Sequence, residues 1–248
     1  MNNKKVAIIT GASSGIGKAV AVDMATKDYH VVLISRSKNK LEQVKAEIEK
    51  ANGCASIYVL DVSDANAVKK CIGDVVDKLG RIDLLFNNAG ILKHGTTELA
   101  DDEIDELIKI NLNGAIYVAK YVAKQMKIQK DGYIINLSSM GGKVASSFAG
   151  IYAASKFGFT GYSEALSKEM SLYEVKVTNI APAMVATEMA TKDRSFPPEQ
   201  MLQVSDIIKT VDYLLGLGKS ALPFEIVIGN LPFTKKITKA TYELYELK

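Results

Sequence analysis

The sequence predicts an α/β protein: a doubly wound parallel sheet of about seven strands, with helices on both faces. Two observations carry this. Short β-branched runs alternate with longer stretches of helical spacing, and each run is apolar nearly throughout rather than at every second residue. A strand with one wet face alternates; a strand covered on both faces does not. Regular alternation of the two element types then gives an open sheet with helices on either side. The runs are Val6–Ile9, Val31–Ile34, Ile57–Leu60, Ile82–Phe86, Tyr133–Leu137, Val175–Ile180 and Phe224–Ile228. The helices are expected over 16–28, 38–51, 64–79, 101–129, 152–173 and 205–217. Asp64 stands where a cap belongs, and Asp101, Asp102 and Glu103 place negative charge at the positive end of a helix dipole.

With 248 residues, 48% hydrophobic and 24% charged, the chain can bury one large core without metal or disulfide staples. No repeat, low-complexity tract or linker divides it, so residues 1–248 are expected to form a single domain. Ser195-Phe196-Pro197-Pro198 interrupts the pattern as a loop insertion rather than a linker. A net charge of +3, dispersed along the chain, argues against a nucleic-acid partner. Cys54 and Cys71 make neither a disulfide framework nor a zinc motif. Met1–Lys5 leads straight into a strand without a signal-like apolar region, and no apolar run is long enough to span a bilayer. The expectation is a cytoplasmic protein with no membrane partner.

The first strand ends in Thr10-Gly11-Ala12-Ser13-Ser14-Gly15-Ile16-Gly17, and a helix follows at once. Glycines let backbone turn sharply against a pyrophosphate, and free N–H groups at a helix start favour an anion. A strand–helix turn needs glycine for steric reasons too, but its place after the first strand of an alternating chain favours a Rossmann-type dinucleotide site. The second strand ends Leu33-Ile34-Ser35-Arg36-Ser37. An acidic residue there would hold ribose hydroxyls; Arg36 instead suits a 2′-phosphate. NADP(H) is expected over NAD(H), the plainer alternative for Arg36 being a solvated charge.

Tyr152-Ala153-Ala154-Ser155-Lys156 puts a phenol and an ammonium on one helix face. A free phenol titrates near 10; a neighbouring ammonium, helped by the positive charge of an oxidised nicotinamide, would bring it toward the working range of an acid–base catalyst.

Taken together, Thr10–Gly17, Asp61-Val62, Asn87-Asn88-Ala89-Gly90, Asn111, Ser139, Tyr152 with Lys156, and Pro182 with Thr187 resemble the short-chain dehydrogenase/reductase family from about residue 5 to 229. The resemblance implies that Tyr152 is the general acid or base, Ser139 holds the substrate oxygen, Lys156 holds the nicotinamide ribose, and Asn111 supports a water-linked proton relay. It implies further that Gly11, Ser13, Ser14, Gly15, Ile16 and Gly17 receive the pyrophosphate and that Asp61 and Val62 hold the adenine. Asn88, with Ala89 and Gly90, would meet the ribose region, while Asn87 ties strands together. Pro182, Val185 and Thr187 would hold the carboxamide. Ser138 is the neighbouring serine candidate. One departure is Pro182-Ala183, where the family has Pro-Gly; a residue forced to φ > 0 there would strain the turn.

Met140, Val144, Phe148, Met184, Phe196 and Met201 suggest an apolar, adaptable pocket, with a substrate loop near 187–204. After Asn230, Lys235, Lys236 and Lys239 with Ile237, Ala240, Leu244 and Tyr245 have helical spacing, giving a C-terminal extension over about 231–248. His30, His94, both cysteines and the acidic stretch 101–106 read as structural. The function expected is NADP(H)-dependent hydride transfer with a small-to-medium, fairly apolar carbonyl or alcohol, in a homodimer or homotetramer. The alternatives are a ketoacyl-type or steroid-type dehydrogenase acting oxidatively, or a non-catalytic NADP-binding sensor. The glycine-rich ending usual in ketoacyl reductases is replaced here by Ile228-Gly229-Asn230.

Overall fold

Seven parallel strands lie in the order β3-β2-β1-β4-β5-β6-β7 in a computed structural model that describes residues 4–191 and 196–246. They are β1 (Lys5–Thr10), β2 (Tyr29–Ser35), β3 (Cys54–Val59), β4 (Leu84–Asn87), β5 (Tyr133–Leu137), β6 (Lys176–Pro182) and β7 (Glu225–Ile228). The helices are α1 (Gly15–Thr26), α2 (Lys38–Lys50), α3 (Ala65–Leu79), α4 (Asp101–Ile108), α5 (Ala115–Gln129), α6 (Gly150–Ser171), α7 (Glu188–Thr191), α8 (Val204–Gly216) and α9 (Leu231–Glu246).

The near-continuous apolarity of the strands has the cause expected. Val6 and Ile8 face one cluster while Ala7 and Ile9 face another, so both faces of β1 are buried. The first cluster takes side chains from α3, α5 and α6, including Val68, Val118 and Leu166. The second takes them from α1, α2 and α8, including Val20, Leu41 and Val211. Asp64 caps α3, its carboxylate accepting from the Asn66 and Ala67 N–H groups.

The stretch expected as one helix over 101–129 is broken by a π-helical segment, Lys109–Gly114. Gly114 lies tight against Val62, where a Cβ would stand 2.8 Å from Val62 Cγ2. Because β1 has β2 on one side and β4 on the other, the crossovers diverge there. That divergence opens a crevice at the carboxyl ends of the strands, the place where such sheets receive ligands.

Ser195 and the side chains of Ile237, Ala240, Leu244 and Tyr245 lie outside the described residues. Among the described residues no helix is long and apolar enough to cross a membrane, and no cluster of His, Cys, Asp or Glu could hold a metal ion.

Candidate active site

The crevice is built first by the turn after β1. Gly11 has φ +66°, a conformation that L side chains rarely adopt. Gly17 admits no side chain at all: a Cβ there would be 2.6 Å from Asn88 Nδ2 and closer still to the Gly11 carbonyl oxygen. Asn88 is the floor of this turn. Its Nδ2 donates to Thr10 O (2.8 Å), while Thr10 Oγ1 accepts from the N–H groups of Asn88 and Ala89 (2.8 and 2.9 Å). The Asn88 amide thus helps to shape the loop. Ser14 sits in extended conformation at the start of α1 and makes no side-chain cap. The first-turn N–H groups, left without that cap, fit a pyrophosphate. We expect Gly17→Ala to destabilise the protein by about 1–3 kcal/mol through overpacking. Thermal melting would show this as a Tm lowered by about 2–12 °C, and an unchanged Tm would contradict the tight turn described.

The second wall comes from β5 and α6. Ser139 follows β5 in extended conformation, and its Oγ accepts from the Gly141 N–H (3.0 Å). Tyr152, in the first turn of α6, stands with Ser139 about Gly141: a Cβ there would be 3.1 Å from Tyr152 Cε1 and 3.4 Å from Ser139 Oγ. Lys156 lies one turn on, its Nζ donating to Leu137 O (3.2 Å) and standing 5.8 Å from the centroid of the Tyr152 ring. Ser138 faces away: its Oγ pairs with Thr160 Oγ1 (2.9 Å) and donates to Lys156 O (3.3 Å). Of the two serine candidates, only Ser139 meets the phenol.

Electrostatics follow from burial. Burial pushes the Tyr152 phenol above its ordinary value, with the Ser139 hydrogen bond opposing it. The Lys156 ammonium, tied to Leu137 O, adds no lowering of its own. Burial also lowers the Lys156 ammonium to about 8.

Asn111 lies within the π-helical segment. Its Oδ1 accepts from the Ile91 N–H (2.8 Å), and its Nδ2 donates to Ile91 O (2.8 Å) and Ser155 Oγ (3.3 Å). The amide thereby joins the loop after β4 to the helix carrying Tyr152. Gly90 lies between them, since a Cβ there would be 3.2 Å from Asn111 Oδ1 and 3.8 Å from Lys156 Nζ. Asn87 bonds Ala115 O (2.9 Å), Asn136 Oδ1 (3.2 Å) and Thr10 Oγ1 (3.3 Å), linking β4 with β1 and β5.

At the far end of the crevice Arg36 is 57% exposed, with Nη1 3.6 Å from Asp61 Oδ2 and 3.9 Å from Glu106 Oε1. Sequence reasoning missed Glu106, which reaches Arg36 from α4 and carries no local signal. Asp61 also accepts from the Ser63 N–H (2.9 Å). The Val62 side chain packs in the core.

On the opposite side, β6 ends at Pro182, and the Ala183 N–H donates to Ile228 O (2.8 Å). Ala183 is not among the residues with positive φ, so the strain expected from alanine in place of glycine is absent. Val185 pairs with Leu202 in an isolated bridge. Thr187 Oγ1 approaches Val185 O (3.4 Å), and its methyl lies 3.5 Å from where a Gly15 Cβ would be. Val144, Phe148, Met184 and Met189 are exposed, whereas Met201 is buried and so withdrawn from the pocket expected of it. His94 stands 5.6 Å from Phe148, ring to ring. Cys71 is buried, its thiol pushed up to about 12.

A glycine turn facing an uncapped helix start, beside a Ser–Tyr pair and a buried lysine, defines a nucleotide-dependent oxidoreductase site. The short chain dehydrogenase family model matches residues 5–197, and the chain belongs to that family. It is 36% identical to the 3-oxoacyl-(acyl-carrier-protein) reductase of Thermotoga maritima over 76% of this chain and 77% of the relative. A solved β-ketoacyl-(ACP) reductase from Bacteroides thetaiotaomicron superposes with a TM-score of 0.83 at 35% identity, covering 93% of this chain and 98% of the other. A metagenomic short-chain oxidoreductase in complex with NADP superposes with a TM-score of 0.80 at 30% identity, covering 91% and 96%.

Proposed function

We propose that the protein reduces a fairly apolar carbonyl with NADPH, 3-oxoacyl thioesters being the first substrate class to test. The observation that carries this reading is the Tyr152 phenol and the Ser139 hydroxyl flanking Gly141 beside the buried Lys156 ammonium, at the same crevice as the glycine turn. The relatives' names supply the thioester class, and the exposed Val144, Phe148, Met184 and Met189 suit an acyl chain.

Residues 11–17 would hold the pyrophosphate, Arg36 the 2′-phosphate, Lys156 the nicotinamide ribose, and Val185 with Thr187 the carboxamide. Lys156 fits this role because it is a buried ammonium whose protein partner is one carbonyl oxygen. The bound dinucleotide supplies the hydride. Tyr152 gives its hydroxyl proton to the substrate oxygen as negative charge develops there. Ser139 Oγ accepts from Gly141, and its own proton would be turned to the same oxygen as substrate enters. Asn111 keeps α6 in register with the loop after β4. Assembly into two or four copies is part of this reading; the groove between α5 and α6 joins Ile116, Ala123, Tyr162, Ala165 and Leu166 with the charged Lys120, Lys124, Lys127 and Glu169.

The test is loss of NADPH absorbance with a 3-oxoacyl thioester against simple ketones, with NADH in parallel. Turnover with NADPH but with no thioester would shift the substrate to the ketones; binding without any turnover would favour the sensor alternative. Arg36→Leu tests the cofactor reading. It removes a charge-assisted contact and leaves Asp61 and Glu106 facing the phosphate, so the KM for NADPH should rise about 10–100-fold with that for NADH little changed. Equal use of both cofactors by the unmodified protein would overturn the NADP(H) preference.

A further inference from the structure

We propose that Asn230 is a positioning residue, tying α9 to the segment 196–202 and thereby fixing the Val185–Thr187 strip beside the phosphate loop. The residue is 4% exposed and stands between β7 and α9. Its Oδ1 accepts from the Phe233 N–H (2.9 Å), and its carbonyl accepts from the Thr234 N–H (2.9 Å), as an N-cap requires. A cap uses only the side-chain oxygen, so aspartate or serine would serve equally. The amide nitrogen does something more: Nδ2 donates to the carbonyl of Gln200 (2.6 Å).

From Gln200 the connection runs directly to the site. Gln200 closes the 3₁₀ turn Pro198–Gln200, Met201 is buried, and Leu202 joins the strip after β6. The Leu202 N–H donates to Met184 O (3.0 Å), and the Ala186 N–H donates to Leu202 O (2.8 Å). A second contact, edge to face between Phe196 and Phe233 with centroids 6.0 Å apart, holds the same segment against the same helix. The C-terminal extension thus serves as the outer support of the wall that bears Met184, Val185 and Thr187. The kinetic consequence rests on the proposed reductase reading; the structural one does not.

Asn230→Asp separates the two jobs of the residue, because it keeps the cap oxygen and sets a carboxylate against the Gln200 carbonyl. Expected are faster amide hydrogen exchange at Ala186 and Leu202, unchanged exchange in β6, and a fall of about tenfold in kcat/KM for the carbonyl substrate. Binding of an adenosine bisphosphate, which spans the Arg36 end and the glycine turn but has no nicotinamide, should stay within about twofold, since the altered contact is remote from it. Phe233→Ala, which leaves the cap intact, should lower kcat/KM about threefold. Unchanged exchange at Ala186 and Leu202 would reduce Asn230 to a cap and overturn the proposal. Parallel loss of adenosine bisphosphate binding and Tm would also overturn it, by showing general damage. If the unmodified protein turns over no carbonyl, the reductase reading fails and the exchange measurement alone decides the tether.

Discussion

Tyr152→Phe should lower carbonyl turnover by about 10²–10⁴-fold, the usual contribution of a positioned proton donor. The substitution is narrow. Phenylalanine keeps the ring that lies over Gly141, where a Cβ would be 3.1 Å from Cε1, and removes only the hydroxyl. Dinucleotide affinity should therefore change little, because the glycine turn and Arg36 are untouched. The direction of the phenol's shift adds a second expectation. Burial raises it, so at neutral pH Tyr152 carries its proton and is ready as an acid. Reduction needs that form, whereas oxidation needs the phenolate. Oxidative turnover should thus climb with rising pH while reductive turnover does not. NADPH absorbance in both directions across pH measures this. A phenylalanine variant keeping more than about a tenth of the activity would remove Tyr152 from the proton step.

Local signals and tertiary ones divide what could be read in advance. The glycine turn and the Tyr152–Lys156 spacing are contiguous, and a strand–turn–helix or a single helical turn fixes their geometry. The strand runs were legible for a related reason: burial on both faces writes itself into consecutive residues. Where a strand is only half covered, the signal fails. β3 is an edge strand whose Ser56 bonds His30 (2.8 Å), so its apolar run starts later than the strand does. The π-helical segment was invisible because one added residue in a turn hardly alters apolar spacing. The approach of Gly114, at its end, to Val62 joins residues far apart in sequence. Glu106 beside Arg36, Asn88 beneath the glycine turn and Asn230 beside Gln200 are likewise products of the assembled fold. Ala183 shows the converse. Its strain was inferred from a family habit, and the chain path here makes no such demand.

Lys156→Met should make the protein more stable at neutral pH and much less active, and both effects have one origin. Lys156 is buried, with its ammonium lowered from 10.5 to about 8. The unfolded chain therefore binds the proton more tightly than the folded one. Between about pH 8 and 10.5 the unfolded state holds more protons, so stability rises with pH in that window. Below it both states are protonated, and the folded state carries the whole cost of burying the charge, about 3 kcal/mol. Methionine removes that cost and fills similar space, while losing the bond to Leu137 O, worth about 1 kcal/mol. The net gain near pH 7 is about 2 kcal/mol, or about 4–8 °C in Tm. It should shrink through pH 8–10.5 and vanish or reverse above, as shown by denaturant unfolding at a series of pH values. A methionine variant less stable at pH 7, with a deficit independent of pH, would mean that the ammonium is already well solvated or paired. In that case it would not be the unsatisfied buried cation that suits a ribose. Stability withheld at this position is what a binding role for the charge requires, since a lysine satisfied by the protein itself has little left to offer a ligand.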